Sequence, residues 1–140
     1  MRTKRFLALA VDPLIALALA VGYIALLLHT VHDLGYARDE GFYFRASTDY
    51  KHWFDLLFQS PSKALQQDAV DRYWRDNHEH PAFVKSLFAL SYKYLNGEWK
   101  LIREAGTAFR FPGMVLSSVG IATTYLWGRR SISRDRKSVV

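Results

Sequence analysis

An apolar stretch from Phe6 to Leu28 limits this chain more than any other feature. Its only charge is Asp12. A helix rises about 1.5 Å per residue and a bilayer core is about 30 Å thick, so a stretch of this length suits a transmembrane helix. A secretory leader is the competing reading, because Arg2, Lys4 and Arg5 precede the stretch and Ala18-Leu19-Ala20 resembles a cleavage site. The apolar run continues past that point to Leu28, which favours an uncleaved span. Asp12-Pro13 interrupts the run. A charge at the bilayer centre costs about 2.5–3.5 kcal/mol on insertion scales. The spacing therefore predicts Asp12 as a helix cap, with Pro13 at the first helical position.

Charge divides the chain into three parts. The net charge is +6. From His29 to Arg110 there are 11 Lys/Arg and 11 Asp/Glu, so the middle is neutral. The excess lies in Arg2, Lys4 and Arg5 at one end and in Arg129, Arg130, Arg134, Arg136 and Lys137 at the other. Nucleic-acid binding would call for a basic face on the folded middle, so that class is excluded as an expectation. Two basic tails around a neutral middle fit the positive-inside rule. Both termini are then cytoplasmic and the middle is extracytoplasmic. The chain has no cysteine, which selects no compartment.

The middle reads as helices separated by proline and glycine signals. In 38–59, Tyr43, Ala46, Ser47, Tyr50, Phe54 and Leu57 recur at helical spacing. With aromatics and charges interleaved, this predicts an amphipathic helix along the outer membrane surface, a soluble core helix being the plainer alternative. Ser60-Pro61 starts a polar helix over 62–75. Asp76 to Pro81 is a loop, since a residue before proline avoids helical angles. Helical periodicity returns over 82–95, Asn96-Gly97 is expected to stop it, and 98–109 is a further short helix. The second predicted span is 111–127, short and carrying Ser117, Ser118, Gly120, Thr123 and Thr124. Small residues let helices approach closely in lipid, so this span expects partners. The expected fold is all-α and integral to the membrane. Its parts are a basic tail 1–5, a span 6–28, an outer segment 29–110, a span 111–127 and a basic tail 128–140.

Chemistry-bearing side chains gather in the outer segment. They are Asp39-Glu40 just beyond the first span, His78-Glu79-His80 with Lys85, and Arg110. Carboxylates near a lipid–water boundary suit a substrate with a lipid tail and a polar head. His78-Glu79-His80 lacks the two-histidine helical face of a zinc protease, and a solvated loop is the plainer account of it. There is no phosphate-cradling glycine loop, no Gly-x-Ser-x-Gly elbow and no cysteine nucleophile.

The motifs occur in a definite order: a basic tail and a span, then DEGFYF at 39–44, NHEHPAFVKSLFAL at 77–90, an Asn-Gly turn, and FRFPG opening a span that ends WGRR. In this order and spacing the chain, over about 6–130, resembles the N-terminal part of the polytopic glycosyltransferases of the GT-C superfamily. It is most similar to the protein-mannosyltransferase-like and aminoarabinose-transferase-like branch. The resemblance implies transfer of a sugar from a polyprenyl-phosphate donor to an extracytoplasmic glycan, lipid or protein acceptor, in a membrane such as the bacterial inner membrane. It implies that Asp39, beside Glu40 in the same catalytic motif, is the general base on the acceptor hydroxyl. It also implies that Glu79 of Glu79-His80-Pro81 is a candidate ligand for a divalent metal, with His80, Lys85 and Arg110 facing the lipid phosphate and head group. The departures are His80-Pro81-Ala82 in place of His-Pro-Pro, and a histidine where lysine is frequent, which makes a phosphate contact pH-sensitive.

Members of that superfamily have many more spans, so the chain is expected to be a truncated GT-C fold that does not turn over alone. The alternative is a small two-span accessory or interaction protein, in which the same residues are surface or interface groups.

Overall fold

The computed structural model describes residues 2–138, with side chains described over 11–132. Much of the two basic tails, including Arg2, Lys4, Arg5 and Arg134 to Lys137, therefore lies outside the described side chains. Every regular element among the described residues is helical. The elements are α1 (Arg2–Thr30), a short 3-10 turn (Val31–Asp33), α2 (Arg38–Gln59), α3 (Pro61–Ala64), α4 (Gln67–Trp74), α5 (Ala82–Ser91), a π-helical turn (Tyr92–Glu98) and α6 (Ala105–Ser138). The chain divides into two compact units, one made of 1–30 and 113–140 and the other of 31–112.

The first unit pairs α1 with the later part of α6. Val11–Asp33, most of α1 and the turn after it, is the one stretch among the described residues long and apolar enough to cross a membrane. Many of its apolar side chains are open: Leu14 is 63% exposed and Leu17 59%. The second expected span, 111–127, does not reach the same apolarity, because Ser117, Ser118, Thr123 and Thr124 dilute it. Asp12 is not a cap. The helix runs through Pro13, and the Asp12 carboxylate instead accepts hydrogen bonds from Tyr125 Oη at 3.1 Å and Arg129 Nε at 3.0 Å. A carboxylate that finds two donors on the neighbouring helix has no need of the helix start.

The second unit is built on α2. Ala46, Ser47 and Tyr50 are buried, and α3, α4 and α5 pack on this helix. The stripe expected to lie on lipid is thus spent on protein, as in the plainer core-helix account. Aromatic rings fill the interior: Phe44 stacks on Phe109 at 4.6 Å, Tyr92 on Phe109 at 4.5 Å, and Trp74 lies 4.0 Å from Tyr50. The helix expected over 62–75 is broken at Leu65-Gln66 into α3 and α4. Gly97 does not stop the next helix. The chain widens into the π-helical turn, and Lys100, at φ 53°, makes the left-handed exit. The stretch 98–109 is therefore irregular until Ala105, where α6 begins.

Pro112 sits inside α6. A proline has no N–H, so the carbonyl four residues back loses its helical donor. That carbonyl belongs to Ala108, and buried Ser91 Oγ donates to it at 2.6 Å. A serine on α5 thus repairs the break and fixes α5 against the start of α6.

Candidate functional site

The site begins at the first turn of α2. Asp39 and Glu40 are the acidic residues of that turn, where the helix dipole favours them. Their roles diverge. Glu40 reaches back to the Ala37 N–H at 3.0 Å and takes a bidentate pair from Arg110, with Nε at 2.8 Å and Nη2 at 2.7 Å. Arg110 also donates to the carbonyls of Leu34, at 3.4 Å, and Gly35, at 2.8 Å, and lies over the Tyr36 ring. Hydrogen bonding from Arg110 holds the Glu40 carboxyl below the usual carboxylate range, and the same bonds raise Arg110. Glu40, expected as a catalytic group, is thus the partner that ties the start of α2 to α6. Arg110, expected on the lipid head group, has most of its donors engaged inside the protein.

Asp39 is left open. Its carboxylate is exposed and has no hydrogen-bond or ion-pair partner among the described residues. It lines a pocket of about 360 Å³ with Phe42, Tyr43, Asn77, Glu79 and His80. The 76–81 loop supplies the far wall. It turns at Asn77, which takes φ 56°, a left-handed conformation that asparagine tolerates. The Asn77 carbonyl then accepts from the His80 N–H at 3.3 Å and from Lys85 Nζ. Arg45 anchors the preceding residue through Asp76 at 3.3 Å. The loop is thereby closed on itself, and Glu79 and His80 are turned toward Asp39.

Lys85 belongs to the support of this loop rather than to its surface. It is fully buried, with its ammonium 5.4 Å from the Tyr50 ring centroid. Burial pushes its pKa down, against the opposing pull of Glu79. A lipid phosphate could reach it only by unpacking α2, so the expected phosphate role does not fit.

A second pocket of about 330 Å³ lies beside the first. Apolar Phe44, Pro81, Val84 and Phe88 line it, with Glu40 and Arg110 at its polar end. Tyr43 and His80 line both pockets, and their rings lie 5.5 Å apart. They form a shared wall between a polar and an apolar space. Asp39, Glu79 and His80 are thus brought together, Arg110 and Glu40 stand at the neighbouring pocket, and Lys85 is withdrawn.

Glu79 pairs only with His78, at 3.7 Å, and no group of three His, Cys, Asp or Glu able to hold a metal converges among the described residues. Sequence reasoning passed over Tyr43 and Asn77. The signal for Asn77 was an Asp-Asn pair in a loop, where asparagine often takes the left-handed turn. Tyr43 gave none beyond its place on the helical stripe. No protein-family model, no curated protein and no solved structure matches the chain.

Proposed function

We propose that this chain is a membrane protein that binds a phosphate-linked lipid, as the donor-side part of a GT-C-type glycosyltransferase. One observation carries the reading: Asp39, Glu79 and His80 line a polar pocket that shares Tyr43 and His80 with an apolar pocket. A sugar joined through phosphate to a polyprenyl chain divides into polar and apolar parts in the same way. In this scheme the chain enters between Val84 and Phe88, and the phosphate rests at His80. The sugar faces Asp39, whose free carboxylate takes the proton of the acceptor hydroxyl as that oxygen bonds to the anomeric carbon. The bond from that carbon to the phosphate oxygen breaks, and the electron pair leaves with the lipid phosphate, which the His80 ring contacts by a hydrogen bond.

The membrane arrangement follows the same proposal. Both α1 and the later part of α6 cross the bilayer, with both tails cytoplasmic and 31–112 outside. The exposed apolar side chains of α1 and the Asp12 bridge to Tyr125 and Arg129 support a pair of spans. Polar groups between helices in lipid are expected to meet in this way.

Photocrosslinking tests the reading. A polyprenyl phosphate with a photoreactive group on its chain, added to the protein in nanodiscs, should label α5 near Val84 and Phe88. Asp39→Asn should leave that labelling unchanged. Label confined to α1 and the outer face of α6 contradicts the proposal.

A second reading is favoured by α6. Leu116, Val119, Gly120, Thr123, Thr124 and Trp127 line a shallow open concavity of about 470 Å³. Small residues on such a face admit another helix in lipid, as in an accessory subunit. Copurification of one stoichiometric membrane partner, lost on Gly120→Leu, supports it, and an undisturbed monomer in mild detergent contradicts it.

A further inference from the structure

Outside the pockets, the segment after the π-helical turn carries a surface feature of its own. Trp99 is 60% exposed and Leu101 71%. Two large apolar side chains facing water two residues apart are unfavourable relative to burial. The segment is nonetheless held firmly. The Trp99 N–H donates to the Tyr94 carbonyl at 2.8 Å, and the Ile102 N–H to the Leu95 carbonyl at 3.0 Å. Asn96 Nδ2 donates to both the Ile102 and Arg103 carbonyls, at 3.0 and 2.9 Å. Lys100, at φ 53°, forms the apex. A left-handed lysine crowds its Cβ against the backbone, so the fold sustains this shape against a local preference.

The charges around the tip are unevenly used. Glu98 is paired with Lys93 at 2.7 Å, and Glu104 with His32 at 3.0 Å. Lys100 and Arg103 have no ion-pair partner among the described residues. Both carboxylates thus have partners within the fold, and the tip presents two cations without an ion-pair partner beside a tryptophan and a leucine. An indole settles at the headgroup level of a bilayer, and basic residues are attracted to an anionic lipid surface.

We propose that the 98–103 tip is a bilayer-interface anchor. Trp99 and Leu101 enter the headgroup region, and Lys100 and Arg103 meet lipid phosphates. The inference rests on the reading that α1 spans the membrane. Val31 follows α1 directly in the chain, so the bilayer is held at high effective concentration near this unit.

The chain has no cysteine, so single labels are straightforward. Leu101→Cys carries a spin label in the full chain, reconstituted in nanodiscs of phosphatidylcholine and phosphatidylglycerol, and its depth is read from oxygen against nickel-chelate accessibility. Leu17→Cys on α1 serves as the reference for spanning. The anchor predicts Leu17 in hydrocarbon and Leu101 at about 5–10 Å into the headgroup–acyl boundary. Reversing both cations with Lys100→Glu and Arg103→Glu should return the Leu101 label to water. Leu17 in hydrocarbon with Leu101 in water overturns the anchor alone. Leu17 in water overturns the spanning reading and the anchor with it. A Leu101 depth unmoved by charge reversal overturns the lipid-phosphate contacts.

Discussion

Two adjacent acids do different work here, and the difference comes from a partner 70 residues away. Nothing in Asp39-Glu40 says which of the two is free. Arg110 takes Glu40 because α6 brings its guanidinium to the first turn of α2, and Asp39 remains unpaired. Glu40 has a lowered pKa, so its contribution is fully present above the unfolded value of about 4.3 and is lost as pH falls through the folded value. Arg110→Ala should therefore lower the stability of the 31–112 unit by about 2 kcal/mol at neutral pH, with a smaller loss in acid, as read by denaturant unfolding in detergent. Asp55 adds to the same acid limb, since hydrogen bonds from Lys51 and Lys93 outweigh the burial that pushes it up. Lys85 acts in the same direction at the alkaline end. Burial depresses its folded pKa, so between that value and the unfolded value of about 10.4 the unfolded chain binds more protons and stability rises with pH. Lys85→Met should remove that alkaline rise in an unfolding series. A rise of unchanged slope would contradict the buried placement of the charge.

At the scale of elements, the helical periodicity of α2 and α5 was legible because each presents a regular apolar stripe. What the stripe of α2 packs against was not, since lipid and protein reward the same pattern. The stop at Asn96-Gly97 failed for a related reason. Glycine permits a left-handed exit without requiring it, and the Asn96 side chain instead holds the Ile102 and Arg103 carbonyls beyond the π-helical turn. The continuity of α6 through Pro112 was invisible because its repair comes from Ser91, far off in sequence. Ser91→Ala should leave the Ala108 carbonyl buried without a donor and cost about 1–3 kcal/mol, seen as a loss of hydrogen-exchange protection at the start of α6. Unchanged protection there would mean the proline break needs no repair. Asp12 was misplaced for want of the same long-range knowledge. Asp12→Ala should weaken the α1–α6 pairing, measurable as a broader distance distribution between spin labels at Leu17 and Thr123. A distribution as narrow as that of the parent would show that the bridge is dispensable.

For the whole molecule, an apolar helix, a neutral helical unit and basic tails were legible in the sequence, because charge segregation and a long apolar run are coarse signals. The convergence of Asp39 with Glu79 and His80 lay beyond periodicity, because it depends on a left-handed Asn77 and on buried Lys85 closing the loop. The resulting division into a polar and an apolar pocket, with Tyr43 and His80 between them, underlies the proposed recognition of a phosphate-linked lipid. The direct test is equilibrium binding of a polyprenyl phosphate, against the matching polyprenol, to the full chain in nanodiscs. The proposal predicts at least about tenfold preference for the phosphate, and loss of that preference in His80→Ala but not in His78→Ala. Equal affinity for the two lipids, or a preference untouched by His80→Ala, would contradict it.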